Sequence, residues 1–179
     1  MKKWYVWMSL IVVGAGALIY ILLQFVQPQS MRAFREVSYA VPDVTAPPLH
    51  TNVSGVGPDT FGNRVTLVSF FATWCGPCHM NHGMLKIMAQ RYNLNIVGIN
   101  LRDQTAMAQI WLMQNGNPYS SIGSDPQGSV AAAWGVQGIP QMFLVDKHKK
   151  VRFIHTGPLT EKRIDEIILP LVRRLEAES

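Results

Sequence analysis

Val65-Thr66-Leu67-Val68-Ser69-Phe70-Phe71-Ala72-Thr73-Trp74-Cys75-Gly76-Pro77-Cys78 decides how the rest of the chain is read. Its first seven residues are mostly apolar and β-prone, the pattern of a strand buried on both faces. A C-x-x-C follows, and a helical stretch then runs to about Tyr92, with Met84, Leu85 and Met88 on one face. The cysteine pair is therefore expected where a strand turns into a helix. Free N–H groups and the macrodipole at a helix N-terminus favour an anion. They lower the thiol pKa of Cys75 and populate the thiolate, which is the attacking species. Cys78, one turn on, is expected to be more buried and within reach of the Cys75 sulfur. Attack by Cys75 on a disulfide gives a mixed disulfide, and attack by Cys78 resolves it. Pro77 suits the first helical turn, where a missing N–H does little harm.

The same residues admit three other chemistries. A structural disulfide would close so short a loop that it removes little unfolded-state entropy. A zinc site could add His79 or His82 to the cysteines, but no second ligand pair is suitably spaced. Cys75-Gly76-Pro77-Cys78-His79 also matches the C-x-x-C-H haem attachment pattern. His79 would then be an axial ligand, with Met80, Met84 or Met88 as the second. Trp74, the preceding buried strand and the rigid Pro77 argue against haem.

Outward from this stretch, Leu94 to Asn100 reads as a second apolar strand. Asp103 can cap a helix running to Asn115, which Gly116 can end. Gly128 to Trp134 reads as a short helix. Gln141 to Val145 and Val151 to His155 read as a hairpin. Thr160 caps a last helix, interrupted or kinked at Pro170. Strands alternating with helices, then a hairpin and a helix, imply an α/β domain with a central mixed sheet. The chain shows no internal repeats.

The N-terminal side differs in kind. From Trp4 to Val26 no residue is charged, and the run is about 35 Å long as a helix, enough to cross a ~30 Å hydrocarbon core. Lys2 and Lys3 precede it, which places the N-terminus in the cytoplasm. Trp4, Tyr5 and Trp7 sit where an interfacial aromatic belt would. No A-x-A pattern follows the run, so an uncleaved anchor fits better than a signal peptide. The expected organisation is a cytoplasmic tip and transmembrane helix over 1–27, a periplasmic linker over 28–45 and an α/β domain over 46–179. Pro28, Pro42, Pro47, Pro48 and Pro58 make residues 27 to about 60 linker-like, with room for a short edge element.

Composition bounds the alternatives. The chain has 179 residues, 48% of them hydrophobic and 15% charged, so it can bury a core and is not of the disordered class. Two cysteines exclude a disulfide-rich scaffold and a four-cysteine metal site within one chain. The formal net charge is +5, of which Lys2 and Lys3 supply two. The densest cluster, Lys147, Lys149, Lys150 and Arg152, reads as a solvated hairpin turn. Nucleic acid is not expected as a partner, because such a patch would be larger and interleaved with aromatics.

Trp74-Cys75-Gly76-Pro77-Cys78 after an apolar strand resembles a thioredoxin-fold oxidoreductase, and Gly138-Ile139-Pro140 resembles that fold's cis-proline loop. The likeness narrows with Phe71-Ala72-Thr73-Trp74-Cys75, Val97-Gly98-Ile99-Asn100, Gly116-Asn117-Pro118-Tyr119, Gly135-Val136-Gln137-Gly138-Ile139-Pro140, Phe143-Leu144-Val145-Asp146 and Ile168-Leu169-Pro170-Leu171. In this order they resemble the CcmG/DsbE family of membrane-anchored, thioredoxin-like proteins of cytochrome c maturation, within the TlpA-like superfamily. The resemblance implies a periplasmic thiol reductant without a cofactor beyond its Cys75–Cys78 pair. It implies apocytochrome c or a CcmH-type partner as client, and a DsbD- or CcdA-type electron donor in the inner membrane. Cys75 would be the nucleophile, Cys78 the resolving thiol and Pro140 the cis-proline. Ile139 would pair its backbone with an extended substrate, beside Trp74.

Three positions depart from that pattern. Ser69 stands where thioredoxins place a buried aspartate. Asn81 and Gln141 stand where the family usually has glutamates. Such carboxylates raise nearby thiol pKa values or help deprotonate the resolving cysteine. His79 and His82 could instead supply positive charge when protonated, though as helical residues they read more simply as surface-facing. Broader TlpA-like or DsbA-like exchange on other envelope proteins, and a haem carrier, remain the other functional expectations.

Overall fold

The computed structural model describes residues 14–17, 20 and 34–178. The chain divides into two units, Met1–Arg32 and Ala33–Ser179. Of the first, residues 14–17 and 20 are helical and exposed. The anchor expected over 1–27 falls almost wholly outside the described residues. Among the described residues no helix is long and apolar enough to cross a membrane.

The second unit is an α/β fold on one six-stranded mixed sheet. In chain order its elements are β1 (Phe34–Ala40), β2 (Thr66–Phe71), α1 (Gly76–Arg91), β3 (Asn95–Leu101), α2 (Thr105–Asn115), β4 (Ser121–Asp125), α3 (Ser129–Ala133), β5 (Gln141–Val145) and β6 (Lys150–Thr156). The C-terminal helix opens with the turn α4 (Glu161–Arg163), passes through a π turn (Ile164–Ile168) and ends as α5 (Leu169–Ala177). The strands lie in the order β1-β6-β5-β2-β3-β4. The β2–β3 and β3–β4 pairs are parallel, and β2–β5, β5–β6 and β1–β6 are antiparallel.

β2 is central, and all six of its residues are buried. Its side chains alternate between two cores. Leu67 and Phe71 enter the one that holds Leu85 and Met88 of α1, Leu112 of α2 and Leu175 of α5. Val68 and Phe70 enter the other, with Trp134 and Phe143. Helices cover both faces, which is why the strand reads as a continuous apolar run. Gly98 of β3 leaves room behind it. A Cβ there would lie 2.9 Å from Phe71 and 3.0 Å from Tyr119, whose rings stack at 4.9 Å.

Several expectations are corrected. β1 supplies the short edge element for which the stretch read as linker had room, and it lies ahead of position 46, where the domain was expected to start. This edge strand has a weak apolar pattern of its own. Its backbone pairs with β6, and Glu36 meets Arg174 at 3.2 Å. β4 is an additional strand. Ser121-Ile122-Gly123-Ser124-Asp125 carries little β propensity and is extended because β3 offers it a parallel ladder. The basic turn is not simply solvated. Arg152 bonds Asp146 at 2.9 Å and Glu178 at 2.6 Å, and the Lys147 ammonium donates to the Glu176 carbonyl at 2.9 Å. The hairpin thus grips the end of the C-terminal helix. At Pro170, which lacks an N–H, the helix accommodates through the π turn, where Leu169 N–H donates to the Ile164 carbonyl five residues back.

Candidate active site

Cys75 and Cys78 form a disulfide directly beyond the end of central strand β2. Cys75 is the N-cap of α1, and its sulfur accepts the Cys78 N–H at 3.2 Å. Pro77 occupies the first turn and leaves no donor orphaned. Both cysteines are 4% exposed, so burial does not separate them as the sequence led one to expect. Position in the helix does. The Cys78 N–H in the first turn points at the Cys75 sulfur and would stabilise its thiolate.

The loop before the pair is held from a distance. Asp103, at the end of β3, accepts the Thr73 N–H at 2.6 Å and the Thr73 hydroxyl at 2.8 Å. It also accepts Asn100 Nδ2 at 2.9 Å and the Gln104 N–H at 2.8 Å. The expected cap of α2 is therefore a clasp on the redox loop, and Gln104 is the N-cap. Strand C-terminal ends are where open α/β sheets gather their sites, a signal that could have pointed to Asp103. His79 adds to the clasp. Its Nε2–H donates to the Thr73 carbonyl at 2.8 Å, and its ring stacks on Trp111 at 5.1 Å. Trp74 is 60% exposed, and its indole N–H donates to the Arg102 carbonyl at 3.0 Å.

Ser69, Asn81 and Gln141 are all buried and all neutral. Ser69 hydrogen-bonds the buried Tyr119 phenol, whose pKa burial pushes up against that bond. Asn81 accepts the Leu159 N–H at 2.7 Å and donates to the Gly157 carbonyl at 3.3 Å. Gln141 accepts the Gln137 N–H at 3.1 Å, which ties down the loop before Pro140. The two amides thus work as structural clasps. No carboxylate at these three positions raises the thiol pKa values. Ile139 is half-buried and packs against both cores, and the Ile139–Pro140 peptide bond is cis.

His82 is buried, not surface-facing. It packs on Trp111 at 4.3 Å, and its Nε2–H donates to the Gly116 carbonyl at 2.9 Å. Its Nδ1 has no hydrogen-bond partner among the described residues. Burial holds its pKa below the ordinary histidine value, only partly opposed by the bond to Gly116. The unfolded chain, with histidines near about 6.5, therefore binds the proton first as pH falls. Stability from this group is full above pH ~6.5 and drops as pH falls through it, until the folded His82 also protonates. Urea midpoints at pH 5.5, 6.5 and 7.5 should rise with pH, and His82→Gln should flatten that rise.

Among the described residues no group of three or more His, Cys, Asp or Glu could hold a metal ion. The arrangement instead suits two-electron exchange between thiols and a disulfide.

Comparison with known proteins agrees with this chemistry. Residues 36–168 match the Redoxin family. The chain is 41% identical over 111 residues to the thiol:disulfide interchange protein CycY of Rhizobium leguminosarum bv. viciae, a match covering 62% of this chain and 60% of that one. It is 34% identical over 160 residues to the thiol:disulfide interchange protein HelX of Rhodobacter capsulatus, covering 89% and 88%. A secreted thiol-disulfide isomerase from Corynebacterium glutamicum shares the fold at a TM-score of 0.67 and 24% identity, over 79% of this chain and 92% of that one. The chain belongs to the redoxin family, among the DsbE-type thiol:disulfide interchange proteins, and is a thiol:disulfide oxidoreductase with a thioredoxin-like fold.

Proposed function

We propose that this protein is a membrane-anchored reductase of the bacterial periplasm. It keeps the haem-binding cysteines of apocytochrome c, or those of a CcmH-type partner, reduced during cytochrome c maturation. The observation that carries this reading is the Cys75–Cys78 pair at the N-terminus of α1, with a cis Ile139–Pro140 bond, in a chain whose relatives are interchange proteins. The uncharged run from Trp4 to Val26, behind Lys2 and Lys3, supports the anchor and its orientation.

The exchange needs no cofactor. The Cys75 thiolate attacks one sulfur of a client disulfide and displaces the other as a thiolate, which takes up a proton. Cys78 loses its proton and attacks the Cys75 sulfur. The second client thiol leaves, and the Cys75–Cys78 disulfide forms. Two electrons have passed to the client, and a DsbD- or CcdA-type membrane reductase returns them. Trp74, Ile139 and Pro140 flank the pair on the client side, where the backbone at Ile139 can pair with an extended segment.

Deleting the gene should abolish c-type cytochromes, and added small thiol should restore them. Normal cytochrome levels in the deletion strain would sink this role. A broader TlpA-like or DsbA-like exchange is separated by potential. A value near roughly −270 mV marks a reductant, and one near roughly −120 mV an oxidant. The purified protein should show no Soret band. A haem carrier built on Cys75-Gly76-Pro77-Cys78-His79 would show one.

A further inference from the structure

A groove of about 240 Å³ is lined by Trp74, Arg102 and Ile139. Trp74, next to Cys75, lines one part of it, and Gly138 and Ile139, next to Pro140, line another. The groove is thus lined by the chain neighbours of Cys75 and of Pro140. Leu101 and Val136 make the lining largely apolar, and Arg102 brings a cation to it.

The backbone of Arg102 is fixed on both sides. It directly follows β3 with φ at +48°, a left-handed conformation uncommon for a side-chain-bearing residue. Its N–H donates to the Asp125 carbonyl at 2.9 Å, and its carbonyl accepts the Trp74 indole N–H at 3.0 Å. The guanidinium lies over Gly128, where a Cβ would come within 2.7 Å of Arg102 Nε. Gly128 itself has φ at +80°. The absence of a side chain at 128 thus leaves the guanidinium room at the groove.

Among the described residues this guanidinium is exposed and has neither an ion-pair nor a hydrogen-bond partner. The neighbouring carboxylates are engaged elsewhere. Asp103 clasps Thr73, Asn100 and Gln104, and buried Asp125 accepts the N–H groups of Val130 at 3.3 Å and Ala131 at 2.8 Å. The groove therefore carries an uncompensated planar fork of donors, which matches a carboxylate bidentately.

We infer that Arg102 and this groove bind an acidic side chain of the client polypeptide close to its attacked cysteine. Arg102 is then a specificity residue, and the inference rests on the reading that protein disulfides are the substrate.

The test uses the reduced protein and disulfide-bonded C-x-x-C peptides, amidated at the C-terminus so that side chains supply the only carboxylates. Glu, Gln or Lys is placed one to three residues from the cysteines, and the second-order rate constant of a single turnover is measured at low and high salt. The Glu peptide should be reduced about three- to fivefold faster than the Gln peptide, the size of an exposed ion pair, with the advantage shrinking at high salt. Arg102→Asn removes the charge while tolerating the left-handed backbone. It should make the Glu and Gln peptides equal. Arg102→Asp should favour the Lys peptide. Equal wild-type rates at low salt, or a Glu preference that survives Arg102→Asn, would overturn the inference. The wild-type comparison needs no variant, and circular dichroism checks the fold of each substituted protein. Failure of the wild type to reduce any of the peptides would instead refute the reading of protein disulfides as substrate.

Discussion

A Cys78→Ser variant, reduced and exposed to envelope proteins, is expected to accumulate a covalent adduct through Cys75. The first step survives, because the N–H at position 78 in the first turn of α1 still points at the Cys75 sulfur. The second step is lost, since a serine hydroxyl does not attack a disulfide at neutral pH. Turnover should fall to the uncatalysed level while the adduct persists, and added dithiothreitol should release it. Non-reducing electrophoresis followed by mass spectrometry identifies the client. Cys75→Ser should show neither turnover nor adduct. If adducts instead form through Cys78 in Cys75→Ser, the roles of the two cysteines are reversed. That outcome has to be tested, because both are equally buried and only helix position separates them.

The largest expected loss of stability comes from Phe70→Ala. Phe70 is fully buried in β2, with its ring edge-on to Phe143 at 5.7 Å and to Trp134 at 5.9 Å. Trp134 and Phe143 also meet each other at 5.2 Å. Truncation leaves a cavity among three rigid rings and should cost about 3–5 kcal/mol. Domains of this size hold only about 5–15 kcal/mol in all, and each kcal/mol moves Tm by about 2–4 °C. A drop of about 10 °C in a thermal melt is expected. Met113→Ala, at a residue 83% exposed on α2, should stay within about 2 °C of the wild type. A Phe70→Ala melt as close to the wild type as that would mean the second core contributes little.

Legibility in the sequence followed the range of the interactions. α1 ends at Arg91, close to the expected Tyr92, and β5 matches its expected span, because capping chemistry, apolar runs and turn residues act within a few positions. β1 was legible only as an edge element without bounds, and β4 was hidden. Each is extended through a ladder to a strand that its own residues do not announce, β1 to β6 and β4 to β3. Asp103 was legible as a helix cap and proved to be a clasp, because Thr73 lies 30 positions away in the chain. His82 looked surface-facing on its helix, and Trp111 of α2 covers it.

Two thiols three positions apart at the start of a helix, and the alternation of strands and helices that carries them, could be read from the chain alone. Both depend on contacts between near neighbours in the chain. What surrounds the thiols emerged from the folded sheet. It set Asn81 as a neutral clasp, buried His82 and, among the described residues, left the Arg102 guanidinium unpaired in the groove. Burial and electrostatic pairing arise between residues tens of positions apart, and they exist only once the sheet has brought those residues together.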